Sequence, residues 1–131
     1  MAKEKMKIMV ADDDPGILDA LMIMLVDAGY DVVTTVNGLT VRDIGEELPD
    51  LILLDLWMSG MDGRDICSHL KAQKRTAHIP IIIFSANKDA KNIAVECGAD
   101  DFIAKPFEMQ ELLRKIESFD TRPRSNKKIW T

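Results

Sequence analysis

Residues 51–63 read LILLDLWMSGMDG, and this stretch decides the fold. Its first four residues are aliphatic, which is typical of a strand buried on both faces of a parallel sheet covered by helices. Asp55 follows them directly, and two glycines and a serine soon after it indicate a turn. In open parallel sheets, ligands bind just beyond the carboxyl ends of the strands. Asp55 is therefore placed for chemistry. The alternative, that it caps the next helix, is weaker because Asp62 opens the next helical pattern.

Strand and helix patterns alternate five times along the chain, at a spacing typical of βαβ units. Together they predict an α/β fold, a doubly wound parallel sheet of five strands with five helices and right-handed crossovers. Strands are predicted at Lys7–Ala11, Asp31–Val36, the Leu51 run that ends at Asp55, Pro80–Phe84 and Asp101–Ala104. Helices are predicted from Asp14-Pro15 to Gly29, over Val41, Ile44 and Leu48 up to Pro49, from Asp62 to about Gln73, from Ala90 to Gly98, and from Met109 to Ile116. Asn37-Gly38 is predicted to be a turn.

Composition and length indicate one globular domain, because 131 residues with 47% apolar content can bury a core. No apolar run approaches the length of a membrane span, and the N-terminus shows no signal region. Cys67 and Cys97 are far apart in sequence and lie in helical patterns. We therefore interpret them as buried thiols in a reducing compartment, which predicts a cytoplasmic location.

Charge is distributed unevenly along the chain. Residues 121–131 carry four cations and no acid, whereas the whole chain has a net charge of −5. This segment is predicted to be a basic linker or tail after a domain spanning residues 1–120. The acidic body argues against direct nucleic-acid binding by this domain.

Polar side chains follow four of the five predicted strands: Asp12 and Asp13, Asp55, Ser85, and Lys105. Parallel strands place these ends on one edge of the sheet, so the side chains can converge. Three carboxylates so close repel one another, and a bound divalent cation removes that conflict. Mg²⁺ fits, because it takes oxygen ligands and is often held by one or two carboxylates plus phosphate. A carboxylate nucleophile, a metal site, an ammonium and a hydroxyl are the parts that phosphoryl transfer to an aspartate requires.

The sequence here resembles the receiver domain of two-component response regulators, over roughly residues 6 to 119. The resemblance is carried by four segments: VADDDP at 10–15, the stretch at 51–63, IIFSA at 82–86 and FIAKPF at 102–107. It implies a flavodoxin-like sheet in the order 2-1-3-4-5, as in chemotaxis regulators. It also implies that a histidine kinase or a histidine phosphotransfer protein donates a phosphoryl group to Asp55.

The same resemblance implies the remaining roles. Asp13, Asp55 and the backbone carbonyl of Trp57 would hold Mg²⁺, with Asp12 acting mainly through a metal-bound water. Lys105 and Ser85 would contact the phosphoryl oxygens, and the Lys105–Pro106 bond would be cis. Ser85 and Phe102 would form the switch. The output surface would be the face of the fourth helix, fifth strand and fifth helix, which would contact a downstream effector or output domain, or a second copy.

Several positions depart from the family pattern. Ser59 stands where the family usually has Pro, which predicts a looser loop, and Phe102 lacks the hydroxyl of the commoner Tyr. The resemblance implies that Trp57 and Asn87 occupy the two positions that flank the path of the hydrolytic water. Trp57 cannot act as a base and Asn87 is a poor one, so they predict a long-lived phosphorylated state if Trp57 covers the phosphoryl group. The alternative is that Trp57 points outward to meet a partner.

The sequence leaves two alternative functions. A hydrolase resembling the haloacid dehalogenase family needs an Asp two residues after its nucleophile, where this chain has Trp57, which has no titratable group. A non-catalytic interaction module with a vestigial phosphorylation site is the second alternative.

Overall fold

The structure is a computed structural model that describes residues 5–58 and 60–120. Its central sheet has five strands: β1 Lys7–Ala11, β2 Asp31–Thr35, β3 Leu51–Asp55, β4 Ile81–Ser85 and β5 Asp101–Ala104. Five helices accompany them: α1 Pro15–Asp27, α2 Gly38–Arg42, α3 Gly63–Lys71, α4 Ala90–Cys97 and α5 Met109–Ser118. A short antiparallel hairpin, Trp57–Met58 with Met61–Asp62, lies between β3 and α3.

All pairings in the central sheet are parallel, and the strand order is β2-β1-β3-β4-β5. The predicted fold class and strand order are therefore confirmed. Asp55 pairs with Phe84, so that Ser85 lies one position further along the neighbouring strand. The carboxyl ends of β1, β3, β4 and β5 consequently meet along one edge of the sheet.

Each face of the sheet has its own apolar core, as a doubly wound sheet requires. One core packs α1 and α5 against residues such as Val10, Leu53 and Phe84. The other packs α2, α3 and α4 against the alternate residues of the same strands, including Leu54 and Ile83. Every residue of β3 and of β4 is buried, which explains the unbroken apolar runs in the sequence.

Two helices have side-chain N-caps at the residues predicted from the sequence. The Asp14 carboxylate accepts a hydrogen bond from the Gly16 N–H at 2.9 Å, and Pro15 follows it in the first turn. Asp62 accepts from the Arg64 N–H at 2.8 Å at the start of α3. Both residues satisfy N–H groups that a helix leaves unpaired at its first turn. Asp62 therefore caps α3, as predicted.

The prediction for the second helix was wrong in its extent. The pair Asn37-Gly38 is not a free turn, because Asn37 caps α2 and Gly38 is its first residue. The helix ends at Arg42, well before Ile44 and Leu48. Ile44 is still buried and Leu48 packs against the second core, so the apolar pattern is real but not helical.

A tertiary contact engages the backbone just after α2. The Arg75 guanidinium donates one hydrogen bond to the Ile44 carbonyl and one to the Gly45 carbonyl, each at 2.6 Å. A longer helix could not pair the Gly45 carbonyl, because residue 49 is proline and has no N–H, and a distant side chain satisfies this carbonyl instead.

Other differences from the predicted boundaries are small. β2 ends at Thr35 instead of Val36, and β4 spans Ile81–Ser85 instead of beginning at Pro80. Pro80 has no N–H for the sheet, although its carbonyl accepts a hydrogen bond from the Ile52 N–H at 3.0 Å. Because β4 extends to Ser85, this residue belongs to the strand and not to the loop after it. The predicted tail at 121–131 and Ser59 lie outside the described residues, so the boundary at residue 120 stays a prediction.

Across residues 5–58 and 60–120, none of the helices combines the length and the apolar character that a membrane crossing needs.

Candidate functional site

Four charged side chains meet at the carboxyl edge of the sheet. Asp12 and Asp13 follow β1, Asp55 ends β3, and Lys105 follows β5. One carboxylate oxygen from each of the three aspartates lies within 4.8 Å of the others. The Lys105 ammonium nitrogen is 2.9 Å from Asp12 Oδ2 and 3.4 Å from Asp55 Oδ1. The structure thus brings together the four charged residues predicted at the strand ends.

Asp12 is held rigidly, whereas Asp13 faces solvent. The Asp12 side chain is 1% exposed, and its Oδ1 accepts a hydrogen bond from the Asp14 N–H at 2.9 Å. Its second oxygen faces the Lys105 ammonium. Asp13 is exposed at the mouth of the site. A buried and an exposed carboxylate therefore flank Asp55.

The electrostatics of Asp55 reflect this crowding. Burial raises the pKa of Asp55 from 3.8 to about 6, and the Asp12 carboxylate adds to the rise although the Lys105 ammonium opposes it. Burial also works against the Lys105 ammonium, but the two carboxylates outweigh it and raise the pKa of Lys105. The site therefore holds more negative charge than Lys105 alone neutralises, which favours a bound cation.

Backbone contacts position Lys105 over the site. Its N–H donates to the Ser85 carbonyl at 2.9 Å, continuing the pairing of β4 with β5. Its ammonium lies 4.7 Å from the centroid of the Phe84 ring, within the range of a cation–π contact. The Lys105–Pro106 peptide bond is cis, as the resemblance implied.

Ser85 stands at the end of β4, beside Asp55 in the sheet register. It is 6% exposed, and its hydroxyl oxygen accepts a hydrogen bond from the Asn87 N–H at 2.9 Å. The Asn87 side chain is exposed and accepts from the Asp89 N–H at 2.8 Å. Both side chains are thus engaged with the β4–α4 loop.

The three carboxylates fit a divalent cation by their chemistry. Hard cations such as Mg²⁺ take oxygen ligands, and two carboxylates plus phosphate oxygens and waters form a usual set. Asp12 is engaged by Lys105 and by the backbone, whereas Asp13 is exposed at the mouth of the cluster and Asp55 lies between them.

Comparison with known proteins assigns the family. The family model described as "Response regulator receiver domain" matches residues 8–117. This chain belongs to the response regulator receiver domain family. Its curated relatives include the DNA-binding dual master transcriptional regulator RpaA of Synechocystis, which is 38% identical over 115 residues. The DNA-binding response regulator MtrA of Mycolicibacterium smegmatis is 36% identical over 117 residues.

The receiver domain spans about half the length of these curated relatives. The alignments cover 86% and 87% of this chain but only 48% of RpaA and 50% of MtrA. The DNA binding named for RpaA and MtrA is therefore a property of proteins about twice as long as the aligned region.

Solved structures show the same fold. A receiver domain of a signal transduction histidine kinase from Syntrophus aciditrophicus has a TM-score of 0.79 and 31% identity, covering 95% of this chain and 98% of its own. The receiver domain of the sensor histidine kinase PA1611 from Pseudomonas aeruginosa also has a TM-score of 0.79, at 28% identity, covering 89% and 98%. The latter structure has a magnesium ion coordinated in its active-site cleft.

Phe102 lies apart from the acidic cluster of the receiver domain. Its ring is half-buried and packs against the α3–α4 core. The Lys115 ammonium is 5.6 Å from the ring centroid and pairs with Asp101 at 3.1 Å. The sequence did not indicate this ion pair, which places a cation beside the ring of the predicted switch residue.

Trp57 points toward solvent on the α3 side of the receiver domain. The residue is 58% exposed and lines a surface cavity of about 410 Å³ together with Arg42, Met61 and Asp62. This placement agrees with the outward orientation that the sequence left open, and the shielding of a phosphoryl group by Trp57 stays a prediction.

Gly63 is a site residue that the sequence reasoning treated only as part of a turn. A Cβ atom at this position would lie 2.6 Å from the Asp55 carbonyl oxygen and 2.9 Å from the Leu56 carbonyl oxygen. Only glycine therefore allows α3 to begin directly against the end of β3. The available signal was a glycine at the first helical position after the capping residue Asp62.

Proposed function

We propose that this receiver domain accepts a phosphoryl group on Asp55 from the phosphohistidine of a sensor histidine kinase or of a histidine phosphotransfer protein. The observation that carries the proposal is the cluster of three carboxylates beside one ammonium at the carboxyl edge of the sheet. A vestigial site would be expected to lack a member of this set, and all of its members are present.

The transfer uses the residues as follows. An Asp55 oxygen attacks phosphorus, the bond from phosphorus to the histidine nitrogen breaks, and that nitrogen keeps the bonding electrons. Lys105 neutralises charge on one phosphoryl oxygen, for which it exchanges its present contact with Asp55. Ser85 donates its hydroxyl hydrogen to another oxygen. Hydrolysis later returns the Asp55 carboxylate and inorganic phosphate when water attacks phosphorus.

Asp13, Asp55 and the Trp57 carbonyl would hold Mg²⁺, and Asp12 would act through a coordinated water. When bound, the ion neutralises the carboxylates and the incoming phosphoryl charge. Asp12 is well suited to an indirect role because it is buried and already paired with Lys105.

Phosphorylation would act through a surface that contacts an effector. The relatives RpaA and MtrA are described as DNA-binding and are about twice as long as the aligned region. We propose that this domain likewise controls an output domain or a separate effector, through the face of α4, β5 and α5, with Ser85 and Phe102 as the switch. We also propose that the domain can associate with a second copy through that face. Its proposed location is the cytoplasm.

Labelling by acetyl phosphate tests the proposal directly. Intact-mass spectrometry should show one phosphoryl group on the wild-type protein in Mg²⁺, and none after chelation with EDTA. Asp55→Asn should abolish the adduct, whereas Asp89→Asn should not, because Asp89 is an exposed carboxylate that caps no helix through its side chain. Full labelling of Asp55→Asn would reject the assignment of the acceptor. An unlabelled wild-type protein would favour the vestigial interaction module.

A further inference from the structure

The two cysteines of the chain, distant in sequence, lie together between α3 and α4. Cys67 on α3 donates a hydrogen bond from its thiol to the carbonyl oxygen of Cys97, the last residue of α4, with Sγ 3.4 Å from that oxygen. The Cys97 thiol donates to the Ala94 carbonyl oxygen at 3.5 Å, and the two side chains are close enough for each to shift the pKa of the other. Both are free thiols in the same apolar core. Their proximity is a product of helix packing and involves none of the phosphorylation-site residues.

The surroundings make the two sulfurs unequal. Cys67 is completely buried, whereas Cys97 is 6% exposed at the end of its helix, beside Gly98. The neighbouring Cys67 thiol lowers the pKa of Cys97, whereas the contact with Cys97 and burial raise the pKa of Cys67. An isolated buried thiol is chemically inert, but thiolate character and a neighbouring second thiol are the features of a reactive pair.

We propose that Cys67 and Cys97 are an oxidation site that closes a reversible disulfide between α3 and α4. The oxidant is a hydroperoxide such as hydrogen peroxide, which would react at the end of α4, where Cys97 is 6% exposed. The Cys97 thiolate attacks one peroxide oxygen, the O–O bond breaks, and the leaving hydroxide takes a proton to become water. Cys97 is then a sulfenic acid.

The second step uses the buried partner. The Cys67 sulfur attacks the Cys97 sulfur, the S–S bond forms, and the S–O bond of the sulfenic acid breaks. The departing hydroxide leaves as water with the proton of the Cys67 thiol. Two thiols have then lost two electrons and one hydrogen peroxide has become two water molecules. A thiol reductant reverses the reaction by exchange.

The bridge would tether α4 to α3, and α4 belongs to the surface assigned above to output. Oxidation would therefore alter this face independently of phosphorylation at Asp55. The existence of the bridge does not rest on the proposed function, because neither cysteine contacts the acidic cluster. Failure of acetyl phosphate labelling would leave it intact, and failure of the bridge would leave the phosphoryl proposal intact.

Mass spectrometry of the folded protein tests the site. The full chain is treated with hydrogen peroxide, quenched with catalase, denatured and alkylated with N-ethylmaleimide. We expect a monomer without maleimide adducts whose mass is lower by about 2 Da, the two hydrogens lost on oxidation. Digestion with trypsin should yield the peptides of Cys67 and Cys97 joined, and dithiothreitol should separate them.

Single variants test the order of the steps. In Cys67→Ser, Cys97 should accumulate a sulfenic acid that dimedone traps. In Cys97→Ser, the buried Cys67 should stay a free thiol under the same treatment. The wild-type result decides the proposal even if a variant fails to fold. Two alkylated thiols, a sulfinic acid on either cysteine, or a disulfide between two chains in place of the internal bridge would overturn it.

Discussion

At the residue scale, Asp55 experiences an electrostatic conflict that a simple substitution should relieve. Its folded-state pKa of about 6 lies above the ordinary 3.8, so the folded protein binds this proton more tightly than the unfolded chain does. Stability contributed by the protonated form is therefore lost as pH rises from about 4 to 6, and the loss is complete above that range.

Asp55→Asn should consequently stabilise the metal-free protein at neutral pH. We expect a gain on the order of 1–2 kcal/mol at pH 7, because one pKa unit corresponds to about 1.4 kcal/mol and solvent screens part of the effect. The gain should shrink to nothing near pH 4. Urea unfolding in EDTA across this pH range measures it, with Asp89→Asn as the control. An Asp55→Asn gain that does not change with pH would contradict the electrostatic origin.

Lys105 contacts two of the three carboxylates, so its removal should separate metal binding from phosphoryl transfer. In Lys105→Ala, Mg²⁺ affinity measured by calorimetry should stay the same or increase, because the competing ammonium is gone. Labelling by acetyl phosphate should fall by at least about tenfold, since a positioned donor is lost.

Lys115→Ala is the matched control for this experiment. It removes an ammonium that pairs with Asp101, at the amino end of β5 and so at the other end of the strand from the acidic cluster, and should change neither quantity. A large loss of Mg²⁺ affinity in Lys105→Ala would show that this residue organises the metal site instead.

At the element scale, the junction of β3 with α3 depends on Gly63. Gly63→Ala should destabilise the protein by about 1–3 kcal/mol, because its Cβ would lie 2.6 Å from the Asp55 carbonyl oxygen and the backbone must shift. The same shift moves Asp55, so labelling should also slow. Gly45→Ala is the control, since its Cβ meets nothing within 4 Å. Equal unfolding midpoints for the two variants would refute the close-contact argument.

At the scale of the whole molecule, metal binding should be visible as stability. A cation that binds only the folded protein stabilises it by about 2.7 kcal/mol at a concentration one hundred times its dissociation constant. We therefore expect Mg²⁺ to raise the thermal unfolding midpoint of the wild-type protein. Asp13→Asn, which removes an exposed donor without touching the core, should abolish most of that rise. An undiminished rise in this variant would place the cation elsewhere.

The sequence by itself determined the fold class and the strand ends of the site. Unbroken apolar runs occur where strands are buried on both faces, and β3 and β4 are buried throughout. Because parallel strands present their carboxyl ends on one edge, the residues after four such runs could be assigned to one site. Capping residues such as Asp14 and Asp62 were also readable, since a cap is a local hydrogen bond within a few residues.

Only the tertiary structure decided the features that depend on distant partners. Arg75 pairs the carbonyls of Ile44 and Gly45, and no periodicity in residues 38–48 indicates this contact. The tight approach of Gly63 to Asp55, the outward direction of Trp57 and the meeting of Cys67 with Cys97 follow from how helices pack on the sheet. A local sequence pattern indicates which face of a helix or strand is apolar. The atoms that meet between two such elements are set by packing geometry, which depends on residues far apart in the sequence.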